Sequence, residues 1–216
     1  NTKEARAAKA TRNHALLEIE ILDHPDEPAV LMEIGNSFHQ RGEYGRAISF
    51  YEKILSLPDS RKVQPEIFLA VNSLIGVSKF ESGDIGGAEK HFLESIKTNP
   101  DAPTPYFYLA KIAIYRNDLA TLVDMSKKLI SIPESVGTVA SDYPGMVAHA
   151  YGWLGNLLLV RNDMAGAALL FAESDKRNLP PSFNYKDAIT AADKANLPDI
   201  RVRFEKLLHE ENINKG

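Results

Sequence analysis

Apolar residues recur along this chain at i, i+3, i+4 and i+7, in short blocks separated by polar residues, glycines and prolines. That period puts one apolar stripe on a helix, and no strand-like alternation of useful length interrupts it. The blocks come in pairs, and the pairs resemble one another. In the first, Leu31, Ile34, Gly35 and Phe38 precede Gly42, and Tyr44, Ala47 and Tyr51 follow before Pro58. In the second, Ile75, Gly76 and Phe80 precede Gly83, then Ile85, Ala88, Phe92 and Pro100. The third runs Tyr106, Leu109, Ala110, Asn117-Asp118, Leu119, Leu122, Leu129 and Pro133. The fourth runs Tyr151, Leu154, Gly155, Leu158, Asn162-Asp163, Met164, Ala167, Phe171 and Pro180.

Gly42, Gly83, Asn117 and Asn162 lie 41, 34 and 45 residues apart. The middle interval is one bare unit, and the others carry insertions near 61–67 and 134–147. Each unit reads as a helix, a tight turn and a second helix. Gly or Asn at the turn supplies the left-handed backbone that ends a helix cheaply, and Glu43, Asp84, Asp118 and Asp163 follow where a capping carboxylate is favoured. Gly35, Gly76, Ala110 and Gly155 let the first helix approach its partner, with Ala47, Ala88 and Ala167 on the second helix doing the same. One such hairpin cannot bury its own apolar face, so neighbours must stack.

These spacings resemble the tetratricopeptide repeat: a large residue, Leu-Gly, an aromatic, a helix-ending Gly, Ala, a second aromatic and Pro. The third unit departs most, with Ala110 for the first Gly, Leu122 for the second-helix Ala and Ser126 for the aromatic. The resemblance implies an all-α, right-handed α-solenoid of stacked antiparallel helix pairs. Four repeats are expected at about 28–59, 65–101, 102–135 and 144–180. Residues 1–27 form a helix like the second of a preceding unit, and 181–216 a divergent C-terminal pair, Tyr185–Ala195 and Asp199–Glu211.

Composition narrows the functional classes. Of 216 residues, 25 are Lys or Arg and 29 Asp or Glu, a net charge of −4, so nucleic acid and anionic membrane are not expected partners. There is no cysteine, hence no disulfide, thiol nucleophile or Cys-ligated metal. No apolar run is long enough to span a membrane, and a cytoplasmic location is expected. The chain begins with Asn1, which suggests a piece of something longer. No two of the six histidines have metal-binding helical spacing. His24 among Asp23, Asp26 and Glu27 reads as a solvated connection. Gly83-Asp84-Ile85-Gly86-Gly87 follows a helix and lacks the Lys and Ser/Thr of a phosphate loop. No catalytic residue, cofactor or metal is expected.

The architecture implied by the resemblance places the first helices along a concave face. Offsets of −3, +1, +4 and +5 from the small residue would face it. The first repeat contributes Met32, Asn36, His39 and Gln40, and the second Ser73, Val77, Phe80 and Glu81. Phe107, Lys111, Ile114 and Tyr115 follow from the third, and Gly152, Asn156, Leu159 and Val160 from the fourth. Aromatic anchors with a few amides suit an extended or helical protein segment. Phe80, Ile114 and Leu159 are equally placed to pack against the next repeat. Some family members grip a partner's C-terminal carboxylate with a Lys/Asn/Arg clamp. Asn36 fits one clamp position, but Met32, Leu74, Thr104 and Tyr108 fail the other four.

A second resemblance concerns Arg12-Asn13-His14-Ala15-Leu16-Leu17-Glu18, which is similar to the helix joining the catalytic domain of bacterial family 2 glycosyltransferases to helical repeats. It implies a non-catalytic extension whose enzyme lies outside these residues. Self-association, as a homodimer through the terminal helix Asp199–Glu211, is the remaining expectation beside a partner-binding scaffold.

Overall fold

Among the described residues, a helix gives way five times to a residue of positive φ, and five times the next helix starts two positions later. The turning residues are Gly42, Gly83, Asn117, Asn162 and Asn196, with φ of 77°, 90°, 54°, 62° and 55°. Each turn closes the same way. The amide one residue further on reaches back to a carbonyl five positions earlier at 2.9 Å: Glu43 to Phe38, Asp84 to Lys79, Asp118 to Ala113, Asp163 to Leu158, Leu197 to Ala192. This Schellman closure satisfies carbonyls that a helix end otherwise leaves open. The fifth turn shows that the divergent C-terminal pair uses the same joint as the others.

The structure is a computed structural model that describes residues 3–58, 62, 64–133, 142–177 and 183–214. Residues 134–141 of the insertion expected at 134–147, and the helix stop at Pro180, lie outside these. Among the described residues there are eleven helices and no strand. They are α1 Lys3–Asp23, α2 Pro28–Gln40, α3 Tyr44–Ser56, α4 Pro65–Glu81, α5 Ile85–Thr98, α6 Pro103–Tyr115, α7 Leu119–Ser131, α8 Tyr143–Val160, α9 Met164–Asp175, α10 Tyr185–Lys194 and α11 Pro198–Asn214. They follow one another as antiparallel pairs. Two compact units divide the chain, Asn1–Tyr108 and Leu109–Gly216.

In the first unit, Leu31, Ile34 and Phe38 of α2, Ala47, Tyr51 and Ile54 of α3, and Ile67, Val71 and Ile75 of α4 form one core, with Leu17 and Ile21 of α1 packed against it. The small residues act where the spacing placed them. A Cβ on Gly35 would lie 2.5 Å from the Tyr51 ring, and one on Gly76 2.5 Å from the Phe92 ring. Both rings are buried, so α2 and α4 touch their partners through bare backbone.

In the second unit, Gly155 meets Phe171 at 2.6 Å in the same manner. The third hairpin differs, because Ala110 and Ser126 occupy the equivalent positions. Both are fully buried, and the Ser126 hydroxyl has no hydrogen-bond partner among the described residues. Ala110, Ala113 and Leu122 form a small cluster onto which Met125 and Trp153 pack. The large side chain there is supplied by α8 of the next hairpin. At the C-terminal end, Phe171, Phe183 and Phe204 build a core with Ala188, Ala191 and Ala192. Ile200 and Leu207 of α11 pack onto it.

The capping carboxylates divide by length. Asp84 accepts from the Gly87 amide (2.9 Å), Asp118 from the Thr121 amide and hydroxyl (3.1 and 2.6 Å), and Asp163 from the Gly166 amide (2.9 Å). These bonds hold the Asp84 and Asp118 carboxyls below their usual pKa; for Asp84 the Gly87 amide is the main cause, for Asp118 the Thr121 hydroxyl. Glu43, one methylene longer, makes no cap bond and pairs with Arg41 (2.9 Å) and Arg46 (3.0 Å).

Candidate functional site

The first helices of the two units carry different surfaces. In the first unit, Asn36, His39 and Ser73, three of the polar residues singled out from the sequence, are bonded within the fold. The Tyr51 hydroxyl donates to Asn36 Oδ1 at 2.7 Å, and burial raises that phenol's pKa. His39 Nδ1 lies 2.9 Å from Ser78 Oγ, linking α2 to α4, and its ring meets Tyr44 edge-on at 5.2 Å. Burial lowers the His39 pKa, with Glu81 opposing. Ser73 is buried, its hydroxyl 2.7 Å from that of Ser95 inside the α4–α5 hairpin. Nearby, His91 Nδ1 sits 3.1 Å from Asn72 Oδ1. Phe80 is also buried, edge-on to Tyr108 at 5.1 Å. Tyr108 in turn stacks on Phe92 (5.3 Å) and meets Phe107 edge-on (5.4 Å). Its hydroxyl pKa is pushed up to about 12 by burial, with Glu81 and Tyr44 adding to the effect. Met32, Val77 and Phe107 are half-buried and Gln40 is exposed. Met32 and Leu74 pack on the core.

In the second unit the first helices show large apolar side chains. Ile114 is 43% exposed, Tyr115 72% and Val160 85%, and Leu119 just after the turn is 43% exposed. No large apolar residue is exposed at the corresponding helix ends of the first unit, where Gln40 and Glu81 stand. Lys111, Asn156 and Leu159 are half-buried and Gly152 is buried. His149 stacks on Trp153, ring centroids 5.7 Å apart. Burial lowers the His149 pKa; Asp142 opposes this and Lys111 reinforces it, which places Lys111 of α6 in electrostatic reach of α8.

His149 and Trp153 escaped the sequence reading, whose only offsets were −3, +1, +4 and +5 from the small residue. They stand six and two positions before Gly155, neither of them a counted offset. The signal was available: Trp153 is the single tryptophan of the chain.

Other sequence features resolve into structure. Gly86 and Gly87 belong to the first turn of α5, and a Cβ on Gly87 would meet the Asp84 carboxylate at 2.2 Å. The chain's own carboxylate therefore fills the place a phosphate would take. The 24–27 connection is tied down by Lys53, which donates to the Pro25 carbonyl (2.6 Å) and pairs with Asp26 (3.0 Å). No group of three or more His, Asp or Glu among the described residues could hold a metal ion. No described helix is long and apolar enough to cross a membrane.

Comparison with known proteins agrees with this geometry. A tetratricopeptide repeat family model matches residues 4–61. Solved structures similar in fold include "Crystal structure of MamA" (TM-score 0.60, 15% identity, 82% of this chain and 92% of that one). Another is "Crystal structure of BtubC (BKLC) from P. vanneervenii" (0.63, 15%, 98% and 93%). A further "Crystal structure of MamA protein" gives 0.53 at 18%, covering 87% and 94%. No curated protein matches the sequence. The chain has the fold of these solved structures, and its residues 4–61 match the tetratricopeptide repeat, a scaffold that generally serves protein–protein interaction.

Proposed function

We propose that this chain is a non-catalytic interaction module that holds a partner's protein segment against the first-helix face of its second unit. Lys111, Ile114 and Tyr115 of α6 and His149, Trp153 and Asn156 of α8 form the contact. The observation that carries the reading is the exposure of Tyr115 (72%) at the end of α6, together with the stacked Trp153–His149 pair of α8, whose indole packs onto the Ala110, Ala113 and Leu122 cluster. Aromatic side chains bring large contact area at low entropic cost, which is why they dominate interface energetics. Lys111 adds positive charge close to the apolar anchor, which favours a carboxylate on the partner segment. Asn36, Ser73 and Phe80 are committed inside the first unit, and we assign them to the scaffold.

Affinity capture followed by cross-linking, with the chain and its Trp153→Ala and Tyr115→Ala variants, tests this. Each variant is expected to weaken partner capture about tenfold or more, the loss typical of an aromatic anchor, while helical circular dichroism stays unchanged. Capture at full strength by both variants would overturn the assignment.

A further inference from the structure

Two carboxylates beside the turns that follow α2 and α4 are neutralised within the fold. Glu43 pairs with Arg41 and Arg46, while Asp84 caps α5 and pairs with Lys79 at 3.1 Å. Glu81 is different. It is the last residue of α4 and one of the groove positions expected from the repeat offsets. It is exposed, and it makes no hydrogen bond or ion pair among the described residues.

Aromatic rings gather around this carboxylate. Ser78 stands one turn earlier on the same helix, and its Oγ lies 2.9 Å from His39 Nδ1, which brings the end of α2 against the end of α4. The Tyr44 ring, at the start of α3, meets His39 edge-on at 5.2 Å. On α6, the Tyr108 ring meets that of Phe80, the residue before Glu81, at 5.1 Å. Glu81 acts electrostatically on both His39 and Tyr108, and Tyr44 acts on Tyr108, so one carboxylate, an imidazole and two phenols share a neighbourhood. All three rings are half-buried, and the Tyr44 hydroxyl makes no hydrogen bond among the described residues.

An exposed carboxylate alone holds a cation weakly, because water screens it. A half-buried aromatic edge beside it excludes part of that water and attracts the cation to its own face. A guanidinium suits such a place best: it bonds a carboxylate through two N–H groups, stacks on a ring, and donates to a hydroxyl oxygen. We infer that Glu81 and Tyr44, bordered by His39 and Tyr108, form a subsite for the arginine side chain of a partner segment. Glu81 supplies the charge and Tyr44 the ring and the acceptor oxygen. The subsite lies within the first unit and shares no residue with the contact face proposed above.

NMR of the full chain titrated with Nα-acetyl-arginine amide to about 50 mM, observing the tyrosine ring signals, tests this. The Tyr44 and Tyr108 signals should shift saturably with a dissociation constant on the order of millimolar, as a single side chain gives. Nα-acetyl-citrulline amide, the same shape without the charge, should produce no saturable shift. Glu81→Gln should weaken arginine binding about tenfold or more, and Tyr44→Leu about threefold, with unchanged helical circular dichroism. Glu33→Gln, at an exposed carboxylate elsewhere on α2, should leave binding as it is. No saturable shift overturns the inference, as do equal shifts with citrulline, binding that survives Glu81→Gln, or an equal loss in Glu33→Gln. Trp153→Ala and Tyr115→Ala should bind the arginine probe like the parent chain, so a failure here leaves the contact face of the second unit standing on its own capture test.

Discussion

The third hairpin and its neighbours solve the same packing problem with opposite side chains. Around Gly35, Gly76 and Gly155 the first helix presents no side chain, and an aromatic ring sixteen residues later fills the gap: Tyr51, Phe92 and Phe171. In the third hairpin both partners change together, to Ala110 and Ser126, and both are fully buried. A methyl group on the first helix is compatible with a small residue opposite, not with a ring 2.5 Å away. The third hairpin's pair therefore fills less volume than a glycine and a ring, and the difference is met from outside the pair. The exchange has a local cost, a buried hydroxyl with no partner among the described residues. It also has a consequence next door, because the aromatic bulk against this hairpin comes from Trp153 of α8.

The largest effect that separates the two solutions is loss of a ring. Phe92→Ala should cost about 3–5 kcal/mol by urea denaturation, the range for emptying a fully buried aromatic site. In a repeat array the loss should be concentrated in α4 and α5 by hydrogen exchange. Next comes Gly76→Ala. Overpacking against an immobile ring costs about 1–3 kcal/mol, offset in part by the better helix propensity of Ala. By contrast, Ala110→Gly meets no ring and should cost about 1 kcal/mol from propensity, plus the transfer term of one buried methyl.

The turns give a smaller effect. Asn162→Ala places a Cβ residue at φ 62° without the side chain that tolerates it, and should cost about 1–2 kcal/mol. Smaller still, and opposite in sign, Ser126→Ala should stabilise by up to about 1 kcal/mol, since it removes a desolvated hydroxyl that bonds nothing.

Acid should discriminate by unit. Burial depresses the pKa of His39 and His91 in the first unit and of His149 in the second. A histidine depressed in the folded state protonates more readily in the unfolded chain. Its stabilising contribution is then complete above about pH 6.5 and declines as pH falls below that value. The melting temperature should fall between pH 7.5 and 5. His91→Gln should flatten that fall for α4 and α5 and leave the second unit unaffected.

Much of this architecture was legible in the residues, because the repeat exposes its own logic. A left-handed turn needs Gly or Asn, and all four turns expected from the sequence have positive φ; the fifth, Asn196, lies beside the expected break at Leu197-Pro198. The close approaches at Gly35, Gly76 and Gly155 followed from a small residue facing an aromatic one. The surface was harder to read. Offsets along a helix state which way a residue points, but not what a neighbouring hairpin brings to meet it. Nothing in the spacing shows that the Tyr51 hydroxyl reaches Asn36, that Ser95 meets Ser73, or that Tyr108 sits among Phe80, Phe92 and Phe107. These are contacts between helices, set by packing angles. Trp153 is the same case reversed: it lies outside the counted offsets, and it packs against the third hairpin.

The most direct test is a double-mutant cycle on Gly76 and Phe92, read by urea denaturation. If the two residues share one volume, Gly76→Ala should destabilise the native chain yet be neutral or favourable once Phe92 is Ala, a coupling of about 2 kcal/mol or more. Strictly additive costs would contradict the shared-volume explanation of how these hairpins close.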